Sequence, residues 1–86
     1  MLRKKIQVST SGGIHMAIAV SLGLTAKEQG GHVFLKTDKK MVSAKEVPKV
    51  LALGVHELDW VEVIVDSEGE EEALMERIER ILCNKW

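Results

Sequence analysis

Apolar and polar positions fall into seven short segments along the chain, each with a recognisable period. Between Lys4 and Ser9, Ile6 and Val8 alternate with polar neighbours, as in a half-buried strand. Ser9–Gly13 is a loop by composition. The run from Met16 to about Lys27 predicts a helix, rich in alanine and free of proline, in which Gly23 costs about 1 kcal/mol. Gly30 and Gly31 then break the chain. His32–Thr37 predicts a strand with Val33 and Leu35 on one face and Phe34 on the other, and Asp38-Lys39 turns it back into a second strand at Met41–Ser43. Glu46–Leu53 reads as a short helix with Pro48 in its first turn and Gly54 at its end. Trp60–Asp66 sets Val61, Val63 and Val65 against Trp60, Glu62 and Ile64, a strand buried on one face. After a turn at Ser67–Gly69, the segment Glu70–Leu82 spaces Leu74, Ile78, Ile81 and Leu82 as one apolar helical stripe. The order strand, helix, strand, strand, helix, strand, helix predicts an α+β fold, with helices on one face of a largely antiparallel sheet.

Composition narrows the class. Eighty-six residues, with no linker or repeat, predict a single domain over residues 1–86. Hydrophobic residues make up 45% and charged ones 29%, an ordinary soluble balance, but one Phe, two Trp and no Tyr leave the core to aliphatic packing. No apolar stretch approaches the roughly 20 residues of a membrane span. The basic start is not followed by an apolar segment, so no secretory signal is expected. Cys83 is the single cysteine, which excludes an internal disulfide and suits a reducing, cytoplasmic compartment. Net charge is −1, yet residues 1–49 carry nine basic against three acidic side chains and residues 50–86 three against ten. That asymmetry suits an acidic partner facing the first half. A plainer account is that Glu70, Glu71 and Glu72 open the last helix, whose dipole favours anions there. A nucleic-acid-binding role ranks last, because the basic residues are scattered and no Phe or Tyr platform sits among them. His15, His32 and His56 share no zinc-like spacing, and neither metal nor cofactor is expected.

Candidate chemistry centres on His15, whose plainer account, taken alone, is a loop or capping residue. It follows Gly12-Gly13-Ile14 and immediately precedes the first helix, so its ring is expected beside the unpaired N–H groups that open that helix. The positive end of the dipole favours the neutral ring, whose nitrogen can attack phosphorus. The amides of Met16, Ala17 and Ile18 would then hold the phosphoryl oxygens, as helix N-termini hold anions.

Gly13-Ile14-His15 between loop and helix, Val42-Ser43-Ala44-Lys45 running into a short helix closed by Leu53-Gly54-Val55, and the Glu68–Leu74 block before the last helix together resemble the HPr family. These are the histidine-containing phosphocarriers of the phosphoenolpyruvate:sugar phosphotransferase system, and the likeness spans nearly the whole chain. It implies an open-faced β-sandwich, a four-stranded antiparallel sheet with three helices on one face. It also implies a carrier that is not itself an enzyme, taking a phosphoryl group on His15 from a phosphoenolpyruvate-dependent enzyme and passing it to a sugar-specific acceptor. Two family positions are altered. The arginine two residues after the histidine, which clamps the phosphoryl group, is Ala17, and the proline after it is Ile18. The regulatory serine of Gram-positive members is Glu46, a permanent carboxylate that either imitates phosphoserine or simply suits a helix start. His56, in the neighbouring loop, is a candidate auxiliary donor. The family's docking surface would comprise Met16, Val20 and Leu24 of the first helix and Val47, Pro48 and Leu51 of the second, ringed by Lys27, Lys45 and Lys49; the alternative is that several of these side chains point into the core, because the first helix is apolar nearly all round. The alternative to a carrier is a non-catalytic HPr-like module that regulates partner proteins through this surface. A monomer or weak dimer is expected.

Overall fold

Seven elements form in the order the pattern predicts. A computed structural model describes residues 1–28, 30–38 and 40–83. The strands are β1 (Leu2–Gln7), β2 (His32–Lys36), β3 (Met41–Ser43) and β4 (Trp60–Asp66), and the helices are α1 (Met16–Glu28), α2 (Val47–Ala52) and α3 (Glu71–Cys83). Four strands make one antiparallel sheet in the order β1-β4-β2-β3, which places the first and last strands side by side. Lys39, half of the expected Asp38-Lys39 turn, lies outside the described residues; the hairpin closes where the Thr37 N–H donates to the Lys40 carbonyl at 2.9 Å.

The alternation in β4 decides which sheet face is covered. Val61, Val63 and Val65 are buried beneath the helices, joined by Ile6 from β1, Val33 and Leu35 from β2 and Val42 from β3. Helix α3 adds Leu74, Met75, Ile78, Ile81 and Leu82, and α1 adds Ile18, Ala19, Leu22 and Ala26. Gly23 earns its place inside α1 by proximity: a Cβ there would lie 3.2 Å from Val47 Cγ2 and 3.3 Å from the Ala44 carbonyl oxygen. The helix propensity it forgoes is offset by the close approach of α1 to the start of α2.

Two expectations need correction. β1 runs from Leu2 to Gln7 rather than Lys4 to Ser9, because Leu2 already pairs with Val65 and the chain leaves the ladder after Gln7. Ser9 and Thr10 instead donate to the carbonyl of Leu82 at 3.1 and 3.0 Å, satisfying an acceptor in the last turn of α3. The second is Ile64. It lies on the open face of the sheet yet is only 4% exposed, because Arg3 and Phe34 flank it in register on the two neighbouring strands. β4 is thus buried on both faces at that point.

Candidate functional site

The loop from Ser9 to His15 is shaped by two glycines. Gly12 and Gly13 have φ of +82° and +71°, a region that favours residues without a Cβ. Gly13 also lies against a second loop: a Cβ there would come within 2.6 Å of the Val55 carbonyl oxygen and 2.7 Å of the Glu57 nitrogen. The Ile14 N–H donates to that Val55 carbonyl at 3.0 Å, and Ile14 itself is buried. This anchored pair of loops delivers His15 to the start of α1 with its side chain exposed.

The His15 carbonyl accepts the Ala19 N–H at 2.9 Å, so the residue stands at the helix boundary. Its Nδ1 accepts the Ala17 N–H at 3.3 Å. In a neutral ring, an accepting Nδ1 turns its lone pair toward the helix start and puts the proton on Nε2. Gly12 borders the other side of the ring, since a Cβ on it would lie 3.3 Å from His15 Cδ2. Of the three amides expected at the site, Ala17's is aimed at the ring, while Met16 and Ile18 flank it in the first turn of α1. At position 17 the site offers a backbone donor and a methyl group, with no guanidinium.

His56 is directed elsewhere. It is exposed, its N–H donates to Asp59 Oδ2 at 2.9 Å, and its Nδ1 lies 3.6 Å from the same oxygen. The side chain that does reach the His15 loop is Glu57, whose Oε1 accepts the Gly12 N–H at 3.2 Å. Sequence spacing gives no sign of this bond; the Gly12-Gly13 pair signals only that some backbone comes close.

Glu46 occupies the N-cap of α2 and makes no side-chain cap bond. Its carbonyl accepts the N–H groups of Lys49 and Val50, both at 3.0 Å, while its carboxylate lies 3.3 Å from Lys49 Nζ. Pro48 falls in the first turn, where its missing N–H is no loss.

The surface beside His15 is apolar. Met16, Val20 and Leu24 are 59%, 40% and 57% exposed, a stripe four residues apart along α1. On α2, Pro48 is exposed whereas Val47 and Leu51 are half-buried and pack partly against the core. Lys27 and Lys49 are exposed and Lys45 half-buried. Among the described residues no cluster of three or more metal-ligating side chains forms, and no helix is long and apolar enough to cross a membrane.

Solved structures with this fold include HPr-C-His from Thermoanaerobacter tengcongensis, at TM-score 0.86 and 22% identity over 95% of this chain and 91% of that one. The phosphocarrier protein HPr of Bacillus anthracis matches at TM-score 0.84 and 20% identity, covering 94% of this chain and 95% of the other. The Crh protein of Bacillus subtilis, described as a domain-swapped dimer, matches at TM-score 0.76 and 24% identity over 100% and 98% of the two chains. No curated protein matches by sequence. Residues 2–83 match the PTS-HPr family, described as the PTS HPr component phosphorylation site. With that match over nearly its full length and the HPr fold beneath it, the chain belongs to the HPr family of the phosphotransferase system.

Proposed function

We propose that this chain is a phosphoryl carrier in which His15 accepts a phosphoryl group from a phosphoenolpyruvate-dependent phosphotransferase enzyme and yields it to a sugar-specific acceptor. The observation that carries the reading is the Nδ1 lone pair of His15 facing the Ala17 N–H at the start of α1. In the forward step Nδ1 attacks phosphorus and forms an N–P bond. The bond between phosphorus and the donor breaks, and its electron pair leaves with the donor. Nε2 keeps its proton, and the new phosphoryl oxygens take over the Ala17 N–H, with those of Met16 and Ile18 in the same turn. The reverse attack by an acceptor enzyme restores the lone pair. The chain contributes a nucleophile and an anion cradle, while the two enzymes supply the rest of the chemistry. Docking of both is assigned to Met16, Val20 and Leu24 with Val47, Pro48 and Leu51, and the rim cations Lys27, Lys45 and Lys49 suit acidic surfaces.

A regulatory reading is favoured by Ala17 and Glu46 together. The first removes the clamp on the phosphoryl group, and the second puts a carboxylate, already paired with Lys49, at the head of α2. A module of that kind would bind partner proteins through the same α1–α2 surface with no phosphoryl transfer. Incubation with phosphoenolpyruvate and the first phosphotransferase enzyme, followed by intact mass measurement, separates the two. A gain of one phosphoryl group that His15→Ala abolishes supports the carrier; no gain alongside retained partner binding supports the regulator.

A further inference from the structure

We infer that Glu57 is a positioning residue for the His15 ring, acting through the backbone of Gly12. The inference rests on His15 being the phosphoryl acceptor. Glu57 reaches across from the loop that follows α2, and its Oε1 accepts the Gly12 N–H at 3.2 Å. Gly12 in turn borders the ring, close enough that a Cβ on it would stand 3.3 Å from His15 Cδ2. The ring thus stands between two backbone groups, the Ala17 N–H bonded to its Nδ1 and Gly12 beyond its Cδ2 edge. A left-handed glycine with no side chain has few means of resisting rotation about its own φ and ψ. The carboxylate bond supplies that resistance.

Glu57 is itself held in place. The next residue, Leu58, sits at φ +75°, an expensive conformation for a leucine, and it is 61% exposed, so burial does not compensate it. The conformation is enforced by its neighbours. The Leu58 N–H donates to the Val8 carbonyl at 2.6 Å, and its own carbonyl accepts Gln7 Nε2 at 3.1 Å. On the other side, the Gly13 backbone packs against residues 55–57 too closely for any Cβ. Strain at Leu58 and the glycine contact at Gly13 thus serve one end: they aim the Glu57 carboxylate at the Gly12 amide. Its effect on the ring is geometric, and any acceptor oxygen of the same reach performs it.

The test compares wild type, Glu57→Ala and Glu57→Gln by two readouts. One is amide exchange at Gly12 together with the order of the His15 ring, both measured by NMR on the unphosphorylated protein. The other is the rate of His15 phosphorylation by phosphoenolpyruvate and the first phosphotransferase enzyme. Glu57→Ala should speed Gly12 exchange about tenfold, loosen the ring and slow phosphorylation about three- to tenfold, with the thermal midpoint little moved. Glu57→Gln keeps an acceptor oxygen and should recover all three. Unchanged Gly12 exchange in Glu57→Ala would overturn the inference, and so would a Gln variant that behaves like the Ala variant, which would assign the effect to charge. Absence of phosphorylation in wild type would sink the carrier reading, while the NMR comparison would still decide whether Glu57 orders the ring.

Discussion

Leu58 shows how far a single residue can depart from what its type suggests. A leucine held at φ +75° costs about 1 kcal/mol or more, and glycine adopts that region freely. Leu58→Gly, net of the entropy glycine loses on folding, should stabilise the protein by about 0.5 kcal/mol and raise Tm by about 2–4 °C. A lowered Tm in calorimetry would mean that the exposed side chain contributes packing not evident from its surroundings. Ala17 is the other informative residue. Its N–H already meets Nδ1, so an arginine there would add a guanidinium fork beyond the backbone donor. Ala17→Arg should accelerate His15 phosphorylation about tenfold in a stopped assay, the effect of one charge-assisted hydrogen bond. Unaltered kinetics would show that the backbone suffices. At Glu71, the Ser67 N–H at 2.9 Å, and behind it the Met1 amino group at 2.9 Å, hold the carboxyl below its ordinary value. A carboxylate with a depressed folded value adds stability above its ordinary range and loses it as pH falls through the folded value. Glu71→Gln should therefore be less stable than wild type near neutrality, with the gap closing in strong acid. A gap independent of pH in denaturant titrations would rule out the charge as its cause.

At the scale of elements, the two faces of a helix or strand differ in how much the sequence discloses. β4 was legible because Val61, Val63 and Val65 alternate with bulkier or charged neighbours, and the covered face follows from that period. Its open face was not, since Ile64 is buried by Arg3 and Phe34, which only the strand order brings beside it. α1 was illegible from its own pattern, and its outward stripe Met16, Val20 and Leu24 followed only from the family resemblance. It is apolar nearly all round, and which stripe turns inward depends on where the small residues Ala19 and Gly23 allow close packing. The location of His15 at the helix boundary could be read from Gly13-Ile14-His15, whereas the Glu57 bond could not, because it joins a side chain to a glycine amide 45 residues away. The exposed stripe has a testable consequence. Leu24→Glu should change stability by no more than about 0.5 kcal/mol yet abolish capture of a phosphotransferase enzyme. Leu51→Glu, at a half-buried position packed on the core, should cost about 1–3 kcal/mol as well. Equal stability losses for the two in urea unfolding would contradict the difference in their burial.

For the molecule as a whole, the decisive feature is the sheet order β1-β4-β2-β3. It sets β4 between β1 on one side and β2 on the other, so the first strand pairs with the last. Lys4 in β1 pairs with Val63, and its ammonium bonds Glu79 of α3 at 2.6 Å, so the first strand is fixed by parts of the chain made long after it. On a ribosome, β1 emerges ahead of β4 and waits for a partner that is translated about sixty residues later. A bare strand of that kind is an invitation to pair wrongly, and the consecutive cations Arg3, Lys4 and Lys5 repel other copies while it waits. Nascent chains stalled with β4 still inside the exit tunnel should be cut readily by protease, and those with α3 fully outside should resist. Replacing Arg3 and Lys5 by threonine should leave the finished protein folded, with Ile64 less covered, while increasing aggregation of the stalled chains, so the basic segment would serve the growing chain as well as the finished sheet.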